Sequence, residues 1–477
     1  MSETTERSAG SIPFVRSRLS FMMFLQYAVW GIWLPILGQW LGSSVDAGGL
    51  GFNGTQIGLI LGMGGACGAI AAPFIAGQVA DRFLNAERAL GLLLIVGGVV
   101  NLLLASTRSF TPFLWLSIAY SVAYMPTISL TNSIAFANLD NPERSFPRVR
   151  VWGTIGWIVA SALFPLIWLQ TEARFTPYPW FLEGTPKPEA TSLIPDALRV
   201  SGAISIAYGL FSMLALPRTP PKKTAGNPFA FAEAFSLLRI PSVAVLCLAA
   251  LAISMIHNVY FIRTGSWLVA QIGIPAAKVG ATMSIGQMVE MGTLAILGAA
   301  IARLGYRGVL TIGALAYFGR FALFAIGSTQ APWAAYLGIA LHGFCFAFFF
   351  ACAFLYIDRV APKDVRHSAQ TAFGMVILGL GPILAGFYNG FLDAVGGMPA
   401  KVDDTFLGSV AAPFTAAGTW WHGVLVTAGV SMPSGQLAWN AVWWTQAAVG
   451  LGAFLLVAVA FRARVAVESP TEAPPEM

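Results

Sequence analysis

The sequence predicts an all-α polytopic membrane protein with twelve transmembrane helices in two six-helix halves. Three observations predict it. Only 10% of the 477 residues are charged, about two-fifths of what a soluble domain carries, and 57% are hydrophobic. Mean hydropathy is +0.71, too high and too evenly spread for one or two soluble cores. Apolar runs long enough to cross a bilayer recur along the whole chain, with the charges gathered in the gaps between them. This excludes an ordinary water-soluble enzyme.

The elements follow in order. Runs at about 18–42, 54–79, 87–107, 110–138, 149–171 and 197–216 make the first six helices. Runs at about 241–270, 277–302, 308–327, 331–357, 367–394 and 438–461 make the second six. Between the sets lies a polar, proline-rich stretch that contains Pro217-Arg218-Thr219-Pro220-Pro221-Lys222-Lys223. The expected organisation is therefore 1–216 for the first half, 217–240 for a cytoplasmic linker, 241–464 for the second half and 465–477 for a tail. The polar opening residues precede an apolar run as in a signal peptide, but no A-x-A cleavage site follows, so the first run is expected to stay as a helix.

Orientation follows from counting Lys and Arg in alternate loops. With the N-terminus cytoplasmic, that side collects 19 of the 27 basic residues, among them Arg16, Arg18, Arg82, Arg88, Arg148, Arg150, Lys222, Lys223, Arg303 and Arg307. Arg263 and Arg320 fall inside helices and leave six for all the outer loops. Both termini are expected in the cytoplasm. The net charge of +6 does not point to nucleic acid, because it is not gathered on one folded face. Cys67, Cys247, Cys345 and Cys352 lie in apolar runs without metal-ligand spacing and read as small buried hydrophobes. Two segments exceed a short loop, Glu172 to Asp196 and about 396–436, and both map to the outer face. The second carries Trp420, Trp421 and His422, which suit an interfacial or lid-like structure.

Three constellations carry chemistry. Glu290 is a mid-span acid, and Gln287 stands one turn before it on the same face. A carboxylate there costs a few kcal/mol in lipid, so it faces either a cavity or an Arg that holds two helices together. Arg150, Thr154 and Trp157 are spaced i, i+4 and i+7 and offer a guanidinium, a hydroxyl and a flat ring on one face, although Arg150 alone could reach the headgroups. His342 and Phe346 share a face in the tenth run, and His257-Asn258 lie in the seventh. Each histidine suits packing as well as ligand or proton binding. No H-E-x-x-H, paired catalytic carboxylates or Gly-rich phosphate loop with Lys appears, so no catalytic residue, metal or cofactor is expected.

Gly77-x-x-x-Asp81-Arg82 follows the second helix, and Gly298 and Arg303 repeat its spacing after the eighth. This resembles the loop signature of the major facilitator superfamily. Phe24 to Trp33, Ala123-Tyr124-Met125-Pro126-Thr127, Arg150-Val151-Trp152-Gly153-Thr154-Ile155-Gly156, the Gln287/Glu290 pair and His342 through Phe350 together resemble the nucleoside:proton symporter family within it. The resemblance implies a major facilitator fold and proton-coupled nucleoside uptake by alternating access across the bacterial cytoplasmic membrane, by a monomer. It implies substrate contacts from Arg150, Thr154, Trp157, Asn258, Gln287, Glu290, His342 and Phe346, with Glu290 and His342 as candidates for the proton. The absence of a phosphate-binding cluster favours nucleosides over nucleotides. One position departs from the family pattern: Ala347 stands where the tenth helix usually has an acid. An uncoupled nucleoside facilitator is the alternative this raises, and a sugar or polyol transporter suits the same polar and aromatic lining.

Overall fold

The computed structural model describes residues 14–75, 84–139, 142–175, 182–220, 238–361, 366–398, 406–430, 432 and 437–463. The helices are α1 (Val15–Gly42), α2 (Gly54–Pro73), α3 (Ala86–Ser106), α4 (Phe110–Ala137), α5 (Ser145–Trp168), α6 (Asp196–Ala215) and α7 (Pro241–Ile272). A single run, Ala276–Ile326, follows. It breaks at Gly305, whose φ of 68° is left-handed backbone that favours glycine, into α8 (276–304) and α9 (306–326). Then come α10 (Pro332–Val360), α11 (Ala369–Val395), α12 (Phe406–Thr427) and α13 (Trp439–Ala460). Among the described residues eleven stretches are long and apolar enough to cross a membrane, and the Gly305 break divides one of them, which yields the twelve expected spans.

Helix α3 shows why a bilayer is the solvent. Leu90, Leu94, Asn101 and Leu104 are buried, while Leu92, Val96, Val99 and Leu103 stand exposed on the other face. In water that outer face would be charged.

Backbone contacts divide the chain into two compact units. The first comprises Met1–Phe52, Cys67–Ala225 and Pro275–Ala281, and the second Asn53–Ala66, Gly226–Ile274 and Thr282–Met477. Polar side chains tie helices together inside the first. The Nε2 of fully buried Gln26 donates to Thr127 Oγ1 at 2.7 Å, the Tyr208 hydroxyl donates to Gln26 Oε1 at 3.3 Å, and the Tyr124 hydroxyl donates to the Gln26 carbonyl. Asn101 Nδ2 donates to Ser201 Oγ at 3.1 Å, and the Ser201 hydroxyl in turn donates to the Val29 carbonyl at 2.7 Å. Such bonds bind helices where lipid offers no hydrophobic drive between them.

The segment expected as an outer insertion, 396–436, contains the 22-residue helix α12. Phe414 stacks on Phe387 at 5.6 Å, and His422 Nδ1 lies 2.9 Å from the Val395 carbonyl. These pairs set α12 alongside α11, running in the same direction. Trp421 Nε1 donates to Thr445 of α13 at 3.2 Å. The other long segment forms an antiparallel hairpin, β1 (Gln170–Phe175) with β2 (Leu182–Pro186), and a short turn of helix, Ala190–Leu193. The Gly77 to Arg82 motif, the centre of the expected linker and the 465–477 tail lie outside the described residues.

Candidate functional site

The sequence-predicted residues form two groups, one in each unit. In the first, Arg150 is half-buried and Arg148, two residues earlier, is exposed. The Arg150 guanidinium sits 4.3 Å above the Tyr27 ring of α1, a cation–π contact that turns it away from simple headgroup snorkelling. Two turns further along α5, Trp157 meets Trp30 edge-on at 5.4 Å, and Trp30 leans on Tyr124 at 5.9 Å. Thr154 lies half-buried between Arg150 and Trp157 on the same helix. The result is a guanidinium and a hydroxyl beside an aromatic wall from three helices.

In the second unit the close approach of α8 and α10 builds the site. A Cβ on Gly343 would meet the Glu290 backbone nitrogen at 2.7 Å, and one on Gly286 would meet His342 Cβ at 2.8 Å. Only glycine at both positions lets the two backbones pass this closely. Glu290 Oε2 therefore stands 3.6 Å from His342 Nε2. Gln287, one turn earlier, is 8% exposed, and among the described residues its Oε1 has no hydrogen-bond partner. Phe346 lies parallel to the His342 ring at 6.5 Å. Asn258 is turned toward its own helix, where Nδ2 donates to the Ser254 carbonyl at 2.8 Å.

His342 is enclosed by rings. It stacks on His257 and Tyr260, each at 5.4 Å, and meets Phe261 edge-on at 5.8 Å. Beyond it lies Arg320 of α9, with Nη1 3.1 Å from His342 Nδ1 and the guanidinium 3.4 Å above the Tyr260 ring. Sequence reasoning counted Arg320 as an intrahelical charge and then set it aside. The signal was present, since an arginine in mid-span marks a functional or structural charge in the same way as Glu290. Ala347 is fully buried within a π-helical turn, Cys345–Ala351, which widens the helix directly after His342. Nothing in the residue pattern foretold that turn.

With this geometry in place, comparison with known proteins decides the family. The sequence model of the family described as Nucleoside H+ symporter matches residues 14–465. The chain belongs to that family. Among its relatives in this family, YegT of Escherichia coli (strain K12), provisionally named a nucleoside transporter, is 33% identical over 380 residues, covering 77% of this chain and 82% of that one. Xanthosine permease of the same organism is 29% identical over 401 residues, covering 79% and 87%. The crystal structure of the nucleoside transporter NupG superposes with a TM-score of 0.74 at 22% identity, covering 94% of this chain and all of that one. That likeness establishes the major facilitator fold. The protein is thus a multi-pass membrane transporter of the nucleoside H+ symporter family.

Proposed function

We propose that the protein takes up nucleosides across the bacterial cytoplasmic membrane by alternating access, coupled to protons, with both termini in the cytoplasm. The observation that carries this reading is the unpartnered Gln287 Oε1, buried one turn from Glu290 on a face they share. A buried amide oxygen without a donor costs about 1–3 kcal/mol, a cost that a ligand N–H or O–H removes. Each group of residues by itself suits a nucleoside: in the second unit ribose hydroxyls donate to Glu290, base-edge donors reach Gln287 and a flat base suits Phe346, and in the first unit Trp157 offers a stacking face. Arg150 and Thr154 add donors to base carbonyls or ribose oxygens. Asn258 contributes through its carbonyl oxygen, since its amide nitrogen is engaged by Ser254. Glu290 is the group that exchanges the transported proton.

The test is equilibrium binding of nucleosides, free bases, ribose and nucleotides to purified protein. Nucleosides should bind most tightly. Equal binding of free bases overturns the role given to Glu290, and binding of ribose with none of uridine or adenosine makes the protein a sugar transporter instead. The fully buried Ala347, lacking the acid expected there, favours a second reading as an uncoupled facilitator. Accumulation against a gradient in proteoliposomes, abolished by a protonophore, separates the two.

A further inference from the structure

Arg320 is 0% exposed, and among the described residues its Nε and Nη2 have no hydrogen-bond partner. Nη1 lies 3.1 Å from His342 Nδ1, and the guanidinium also neighbours Tyr260 and Cys345. A guanidinium carries only donors and does not lose its proton, so the atom facing it must offer a lone pair. His342 Nδ1 is therefore the bare nitrogen and its proton sits on Nε2, the atom 3.6 Å from Glu290 Oε2. An imidazolium in this place would set an N–H against an N–H and one cation against another, at two side chains that are both buried. Stacking of His257 and Tyr260 and the edge-on Phe261 hold the plane of the ring, and the contact with Arg320 favours the orientation that turns Nδ1 toward it.

We infer that Arg320 is a positioning residue that locks His342 as a neutral donor aimed at Glu290, so that of this facing pair only Glu290 takes up a proton. The inference rests on the transport reading only for its consequence; the tautomer follows from the geometry alone. The titratable and charged groups around His342 come from every neighbouring helix. They are Glu290 on α8, Arg320 and Tyr317 on α9, His257 and Tyr260 on α7, and Cys345 on its own helix. Tyr317 does not compete for the ring, since its hydroxyl lies 2.8 Å from His257 Nδ1. With His342 unable to take the proton, it reports the charge of Glu290 through one N–H and passes that state to a fixed cation.

The test is 15N NMR of histidine-labelled full-length protein. The chain has four histidines, so the His342 signals are assigned by their loss in His342→Gln. The expected spectrum has one bare nitrogen, Nδ1, and one protonated nitrogen, Nε2, unchanged from pH 5 to 8. Arg320→Met should release the ring into tautomer exchange or a titration within that range, and Arg320→Lys, which keeps a donor cation, should restore the locked form. A protonated Nδ1 in the native protein, or a titration of His342 there that Arg320→Met leaves unmoved, overturns the inference. If Arg320→Met does not fold, Arg320→Gln takes its place: a His342 tautomer and titration unchanged from the native protein in that variant would overturn the inference. The second readout is the pH profile of uridine binding, expected to follow one group in the native protein, lost in Glu290→Gln, with a second group appearing in Arg320→Met. Absence of binding of uridine, adenosine and every other nucleoside at every pH would sink the nucleoside reading while the NMR result still tests the tautomer.

Discussion

The Glu290 side chain is 17% exposed, inside a helix that crosses a bilayer, and faces a histidine proton at one oxygen. Its isostere should keep the shape and lose the charge. Glu290→Gln and Gln287→Ala are therefore each expected to weaken nucleoside binding by about 1–3 kcal/mol, roughly 5- to 150-fold, with the protein still folded. Calorimetry together with a thermal melt checks both halves of that statement; loss of fold with unchanged affinity in surviving protein would make the pair structural. In the other unit, Arg150 stacks on Tyr27 whereas Arg148 is exposed. Arg150→Ala should abolish uptake and Arg148→Ala should leave it within about two-fold, and equal effects would assign both to membrane orientation. Trp157→Ala should cost roughly 1–3 kcal/mol of affinity if a base stacks there. Glu290, Gln287, Arg150 and Trp157 were legible in the sequence because polar residues at helical spacing in apolar runs are costly and so conspicuous. The partners were not, since Tyr27, Arg320 and Tyr260 lie on other helices and no local pattern reports a contact across a bundle.

Between helices, glycine and buried charge set the geometry. Gly343→Leu should wedge α8 from α10, because its side chain would occupy the space of the Glu290 backbone. The Glu290–His342 contact should open and substrate affinity fall more than ten-fold, measured beside a melt that shows the protein still assembled. Arg263 of α7 makes a second tied charge. Its Nε donates to Asn389 Oδ1 at 2.7 Å, and Nη2 reaches the Asn389 carbonyl and Asp393 Oδ1 at 2.7 and 2.8 Å. Asp393 Oδ2 in turn accepts the Gly54 backbone N–H at 2.6 Å, at the N-terminal turn of α2 where Asn53 and Gln56 form a capping box. A carboxylate there suits the positive end of the helix dipole. Removing it strands Arg263, so Asp393→Ala should cost about 3–5 kcal/mol in stability. A melting temperature equal to that of the native protein would show the pair to be dispensable. The helix α12 was hidden in the sequence for a different reason. Its 22 residues carry no Lys, Arg, Asp or Glu, but twelve spans were already filled and Trp420, Trp421 and His422 suited an interface, so the segment read as an insertion until α11 was seen to pack along it.

At the scale of the whole molecule, proton coupling is the property that depends on one missing side chain. Uptake into proteoliposomes should be driven by an inward proton gradient and collapse with a protonophore, and Glu290→Gln should leave equilibration without accumulation. If the native protein only equilibrates its substrate, Ala347→Asp is the direct repair, and gradient-driven accumulation in that variant would locate the lost coupling at Ala347. The sequence by itself determined the solvent, the count of twelve spans, the family and the cost-bearing polar residues. The solvent, the spans and the polar residues follow from composition and from spacing along one helix, where the 3.6-residue period says which side chains share a face, whereas the family was legible only through motifs that resemble its members. Tertiary structure alone decided which of those residues meet. The Gly286 and Gly343 approach that brings His342 to Glu290, the Arg320 donor that sets the His342 proton and the Tyr27 ring beneath Arg150 all join residues far apart in the chain. Their energies depend on distances between helices, and no periodicity within a helix encodes those distances.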